Sequence, residues 1–138
     1  MILDHVAIAV RRVEEAADRL CATLQYTRKT EKVTNTRQRV NVLFLHKAGS
    51  LDLKLIEPSD DESPLWPFVS KGGGIHHLCF KVPDVEEACE TMREKRVRVL
   101  TPPEPGEAFD EHSIAFCYLG FGVSAELIDT DIRRALLA

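Results

Sequence analysis

The chain has 138 residues, 44% of them hydrophobic and 29% charged, with 18 basic against 22 acidic side chains and a net charge of −4. That is the make-up of one soluble globular domain, large enough to bury a core without metal or disulfide staples. The mild negative charge argues against nucleic acid as a partner, and no apolar run approaches the roughly 20 residues of a membrane span.

Residues 2–10 (ILDHVAIAV) alternate, with Val6, Ile8 and Val10 on one face and His5, Ala7 and Ala9 on the other, the pattern of a strand. A helix follows, in which Val13, Ala16, Ala17, Leu20 and Leu24 recur at helical spacing. Three further strands are predicted near 26–33, 38–46 and 50–57, broken at Thr34-Asn35-Thr36 and at Gly49. Residues 58–73 read as a linker holding a short helix near 64–70 and a glycine hinge. GIHHLCFKV (74–82) then opens a second strand–helix unit, whose Asp84 and Glu87 form a capping box at the helix start. Strands near 97–101, 112–119 and 123–129 follow, and residues 131–138 are expected to form a short helix.

An offset of 72 residues relates the two halves. His5 falls on His77, the run Val13–Ala16 on Val85–Ala88, Phe44 on Phe116, and Lys54 on Glu126. This is a tandem repeat: module one over 1–57, the linker over 58–73, and module two over 74–130 of a single domain. The expected fold is α+β, two βαβββ modules forming a curved mixed sheet around one cleft. Alternation assigns to the cleft His5 and Ala7; Arg39, Asn41 and Leu43; Asp52 and Lys54; His77 and Cys79; Ser113, Ala115 and Cys117; Ser124 and Glu126.

Two histidines and a carboxylate at related positions are the donor set of an open divalent-metal site, with His5, His77 and Glu126 as ligands. Lys54 and Glu126 are the candidate catalytic groups, and Arg39, Asn41 and Ser113 the candidate substrate contacts. His76 is expected to point away from the cleft, and Arg37 to be an exposed strand charge. Four cysteines without close-spaced pairs, behind a Met1 that runs directly into a strand, suggest reduced thiols in a cytoplasmic protein.

The anchors DHVAIAV, LKLIEP, SPLWPFVSKGGGIHHLCFKV and AELID resemble the vicinal oxygen chelate superfamily and, within it, most closely the methylmalonyl-CoA epimerase family. The resemblance implies a metal held at positions His5, Lys54, His77 and Glu126, with cobalt, manganese, zinc, nickel or iron as the ion. It also implies proton abstraction beside a carbonyl, a small acyl or carboxylate substrate such as an acyl-CoA, and a homodimer. The chain departs from that pattern at Lys54, where the family has an oxygen ligand, and at Asn41, where a known epimerase has a catalytic glutamate. Tyr118-Leu119-Gly120 likewise stands in place of a His-Pro-Lys turn. Two other readings therefore stay open: a glyoxalase-type lyase or His-His-Glu dioxygenase, and a metal-free ligand-binding protein of the bleomycin-resistance kind in which Lys54 displaces the ion.

Overall fold

A computed structural model describes residues 1–138. Each half begins with a strand that feeds a helix: β1 (Ile2–Ala9) into α1 (Val13–Leu24), and β6 (Gly74–Lys81) into α3 (Val85–Glu94). In the first half β2 (Thr27–Arg28), β3 (Val33–Asn35), β4 (Val40–His46) and β5 (Asp52–Pro58) follow, then the linker helix α2 (Trp66–Ser70). The second half adds β7 (Arg98–Gly106), a 3-10 turn (Glu107–Phe109), β8 (His112–Gly120) and β9 (Val123–Ile128). No helix is long and apolar enough to cross a membrane.

The strands form one curved, nine-stranded mixed sheet in the order β2-β4-β5-β1-β6-β9-β8-β7, with β3 paired to β4. The halves meet where β1 and β6 run antiparallel, and on either side of that seam the pattern repeats. β1 pairs parallel with β5 as β6 does with β9, and each partner carries an antiparallel neighbour, β4 or β8. A parallel pair needs a crossover connection, which is why a helix lies within each half.

The helices cover the convex face. Val13 and Ala17 of α1 pack on Leu43, Leu45 and Leu55, while Val85, Ala88 and Cys89 of α3 pack on Ala115 and Leu127. Asp84 caps α3, accepting a hydrogen bond from the Glu87 amide at 2.8 Å, as its position in the sequence predicts. Arg12 gives α1 no such cap; the distant Glu57 carboxylate accepts from the Val13 amide at 2.9 Å instead.

The concave face is not an open trough. It carries the largest apolar cluster, including Val40, Val42, Phe44, Ile56, Phe109, Ile114 and Ile128. This corrects the facing expected for two strands, since Leu43, Ala115 and Cys117 lie on the helix side and the even-numbered residues of β4 and β8 face inward. In VNVLFL both faces of the strand are buried, so period-two alternation carries no signal there.

The expected C-terminal helix is also corrected. Residues 131–138 run as an irregular strap back across the first half. Thr30 bridges Leu136, the Leu137 amide donates to the Lys29 carbonyl at 2.9 Å, and the Arg134 amide donates to the Ala108 carbonyl at 3.0 Å. These tertiary bonds take the backbone groups a short helix would use, and a helix of two turns is marginal alone.

Candidate active site

His5, Lys54, His77 and Glu126 meet at the seam between the halves, each no more than 3% exposed. β1 supplies His5, its parallel neighbour β5 supplies Lys54, and the equivalent pair β6 and β9 supplies His77 and Glu126. Lys54 Nζ donates to both Glu126 oxygens, at 3.0 and 3.1 Å. His77 Nε2 lies 3.2 Å from Glu126 Oε1, and His5 Nε2 lies 3.4 Å from the same oxygen without forming a hydrogen bond.

The repeat extends to the surroundings of each histidine. Register shifts in the β1–β6 ladder leave Asp4 and His76 unpaired, one residue before each histidine. Such a bulge turns two consecutive side chains the same way. Asp4 Oδ2 therefore reaches His5 Nδ1 at 2.7 Å, and His76 Nδ1 reaches His77 Nδ1 at 2.8 Å. The related phenylalanines pack edge-on against the rings, Phe44 on His5 at 5.2 Å and Phe116 on His77 at 5.1 Å between centroids. His76 thus does not point away from the site as strict alternation predicts. Asp4 escaped the sequence reading, although the 72-residue offset that pairs Lys54 with Glu126 also pairs Asp4 with His76.

Proton positions follow from the acceptors. Asp4 and Glu126 are carboxylates and accept only, so the His5 proton sits on Nδ1 and the His77 proton on Nε2. His77 Nδ1 then accepts from His76, giving a directed chain of hydrogen bonds from His76 through His77 to Glu126. Burial raises the Glu126 pKa, but the Lys54 ammonium and the two histidines reverse this and hold it well below the ordinary carboxylate range. Burial lowers His77 to about 4, against the opposing pull of Glu126. Burial would also raise Asp4, yet its bond to His5 and the charge of Arg133 leave it lowered. Arg133 comes from the C-terminal strap, is stacked between Phe44 and Phe109 at 4.9 and 4.6 Å, and donates to Asp4 at 2.7 Å.

His5, His77 and Glu126 form a grouping that could hold a metal ion, their ligand atoms all lying within 4.8 Å of one another. The orphaned His5 Nε2 favours such an ion, because an unpaired buried acceptor costs about 1–3 kcal/mol. Charge opposes it more strongly. Asp4, Arg133, Lys54 and Glu126 already balance, two negative groups against two positive ones. At an effective ε near 20, the repulsion of roughly 8 kcal/mol between a dication and the ammonium about 4 Å away cancels the attraction Glu126 would offer at that distance, leaving the ion's dehydration unrepaid. With Lys54 charged and in this position, the centre does not fit a divalent ion.

A pocket of about 530 Å³ opens onto the cluster, with Lys54, His76 and His77 in its wall. Its remaining charged lining consists of Arg37 and Glu104, and Glu104 is the only carboxylate there. Glu126 lies behind Lys54 and His77 and does not reach the lining. The substrate contacts expected from sequence lie elsewhere. Arg39 pairs with Asp60 and Glu62, while Asn41 donates to Glu57, the carboxylate that caps α1. Both line a separate, wholly polar groove of about 490 Å³. Ser113 pairs with Pro105 near the start of β8 and is absent from the pocket wall. Arg37, exposed as expected and paired with Glu107 and Glu111, lines the pocket where Arg39 does not. Glu104 sits in a Pro-rich stretch that gave no strand signal, and only the fold brings it to the pocket.

Residues 4–118 match the glyoxalase/bleomycin resistance protein/dioxygenase superfamily. The chain is 32% identical over 102 residues to a mitochondrial methylmalonyl-CoA epimerase of Dictyostelium discoideum, covering 72% of this chain and 60% of that relative's length. It is 34% identical over 105 residues to an ethylmalonyl-CoA/methylmalonyl-CoA epimerase of Cereibacter sphaeroides, covering 75% and 77% of the two chains. A solved structure of a methylmalonyl-CoA epimerase in complex with methylmalonyl-CoA and NH4+ superimposes with a TM-score of 0.80 at 27% identity, covering 96% of each chain.

Proposed function

This chain belongs to the glyoxalase/bleomycin resistance protein/dioxygenase superfamily, and we propose that it is an epimerase acting beside the carbonyl of a small acyl-CoA of the methylmalonyl type. The observation that carries the reading is the pocket itself. It sets a cation donor, Lys54, and an unpaired carboxylate, Glu104, in the lining of one pocket beside a buried, hydrogen-bonded cluster. Epimerase relatives on either side of 30% identity, and the acyl-CoA bound in a similar structure, support the substrate class. A volume near 530 Å³ suits the acyl end of such a substrate.

In this reading Glu104 removes the proton next to the carbonyl, and the C–H electron pair moves into the new C=C bond of an enolate. The carbonyl oxygen gains charge, which a cationic donor stabilises more in the transition state than in the ground state. A solvent proton delivered to the opposite face re-forms the C–H bond and the C=O, and Glu104 releases the proton it took to solvent, which completes the inversion. Arg37 at the rim pairs with an anionic group on the substrate. Glu126, too strongly ion-paired to act as a base, serves as the counter-charge that fixes Lys54. A metal-assisted lyase or oxygenase has no comparable support, since the relatives named above are epimerases.

The free thiols of Cys21, Cys79, Cys89 and Cys117 support a reducing compartment, the cytoplasm or the mitochondrion named for the Dictyostelium relative. A homodimer belongs to the same proposal, supported by apolar side chains left exposed at Ile2, Ile75 and Phe121.

Methylmalonyl-CoA incubated with the protein in D2O tests the reading, with loss of the α-proton signal followed by NMR. Wild type should exchange the proton far above the buffer rate. Glu104→Gln should lower kcat by roughly 10²–10⁴-fold with KM little changed. Exchange no faster than buffer in the wild type would reject the activity; unimpaired Glu104→Gln would reject the base.

A further inference from the structure

The seam cluster is electrically complete from within the chain. Lys54 and Glu126 form one buried pair, Asp4 and Arg133 a second that is part-buried, and the two histidines are held by hydrogen bonds to carboxylates. Two of the three ammonium N–H bonds of Lys54 go to Glu126, and the side chain also lines the pocket. One N–H therefore remains for a group bound there. The Phe109 ring, 5.2 Å from Nζ, covers the ammonium from a further side. At the repeat-related positions the chain thus places a cation opposite the anion that holds it.

We propose that the Lys54 ammonium is the resident cation of this centre, occupying the role of a divalent ion at the His5–His77–Glu126 grouping and excluding that ion by its charge. The inference deepens the epimerase reading and rests on it for the identity of the bound carbonyl. In the reaction, the free N–H of Lys54 donates to the thioester oxygen while the base takes the α-proton. The carbonyl π pair moves onto that oxygen and returns to C=O when the α-carbon is reprotonated, so Lys54 gains and loses no proton overall. His77 orients Glu126 through its hydrogen bond and His5 packs beside that carboxylate, neither serving as a ligand.

The test is Co(II) uptake by the full chain after dialysis against chelator, read by the visible absorption of bound cobalt and by elemental analysis. Wild type and Lys54→Arg, which keep the charge, should bind cobalt at least roughly 100-fold more weakly than Lys54→Gln, which should hold one ion per chain. Equal affinity in wild type and Lys54→Gln would overturn the proposal. If Lys54→Gln does not fold, the wild type decides alone: one tightly held ion per chain, lost in His5→Ala, overturns it, and exclusion of cobalt sustains it. A second measurement is α-proton exchange with and without chelator, expected to be the same for wild type; loss that cobalt restores would also overturn it. Cobalt exclusion without any exchange would sink the epimerase reading alone, whereas exchange with tightly bound cobalt would sink the lysine alone.

Discussion

His77 shows how a single buried ring couples the site to stability. Burial lowers it to about 4 from an ordinary value of 6.5, and Glu126 only partly opposes that. Between these two values the unfolded chain binds a proton that the folded chain refuses, so stability falls as acid is added and is fully present only above pH 6.5. The loss attributable to this residue is on the order of 3 kcal/mol by pH 4. Urea unfolding at a series of pH values, compared with His77→Gln, measures it. The variant should show a shallower acid dependence, and an identical slope would mean that some other group carries the effect. That His5, Lys54, His77 and Glu126 come together was legible because the repeat marks them. Glu104 was not, since it reaches the pocket through a stretch of prolines that carries no strand alternation.

At the scale of elements, the two halves solve the same problems with different parts. Asp84 caps α3 from the adjacent position, whereas α1 borrows Glu57 from β5, and Asn41 holds that carboxylate in place. Asn41 thus has a structural duty on the helix side of the sheet. The C-terminal strap has a comparable duty on the other side, pressing Arg133 between Phe44 and Phe109 against Asp4, the carboxylate that orients His5. Removing one member of such a pair strands the other, so Arg133→Met should cost about 3 kcal/mol. The double variant Asp4→Asn/Arg133→Met should lose less than the sum of the single changes. Thermal melts of the three proteins check this, and strict additivity would show that the pair is uncoupled. The facing of β4 and β8 was illegible because both faces of those strands are buried, and the strap because its bonds to Lys29, Glu31 and Thr30 are to residues about a hundred positions away.

As a whole, the molecule is joined across its midline by the β1–β6 ladder, the Lys54–Glu126 pair and the strap's return to the first half. Each half keeps a helix-side cluster of its own, but the largest cluster joins Val40, Phe44 and Ile56 of the first half to Phe109, Ile114 and Ile128 of the second, which predicts one cooperative unfolding transition. Trp66, the only tryptophan, sits in the linker helix and donates to the Asp60 carbonyl at 2.7 Å, so its fluorescence reports the connection between the halves. Fluorescence and far-UV circular dichroism should share one urea midpoint. An earlier fluorescence transition would show that the linker region opens while the sheet survives.

Period-two and period-3.6 patterns, together with a self-similar offset, determined by themselves that this chain would be a doubled βαβββ domain and that His5, Lys54, His77 and Glu126 belong together. Those signals are local or internal to the chain, and symmetry brings equivalent positions to one axis. Only the tertiary structure decided that the four are buried, that Lys54 neutralises Glu126, and that Glu104 and Arg37 line the pocket while Arg39 and Asn41 do not. Burial, charge balance and the turn taken by a bulged strand depend on what packs against a residue from elsewhere in the chain, and no spacing along the sequence records that.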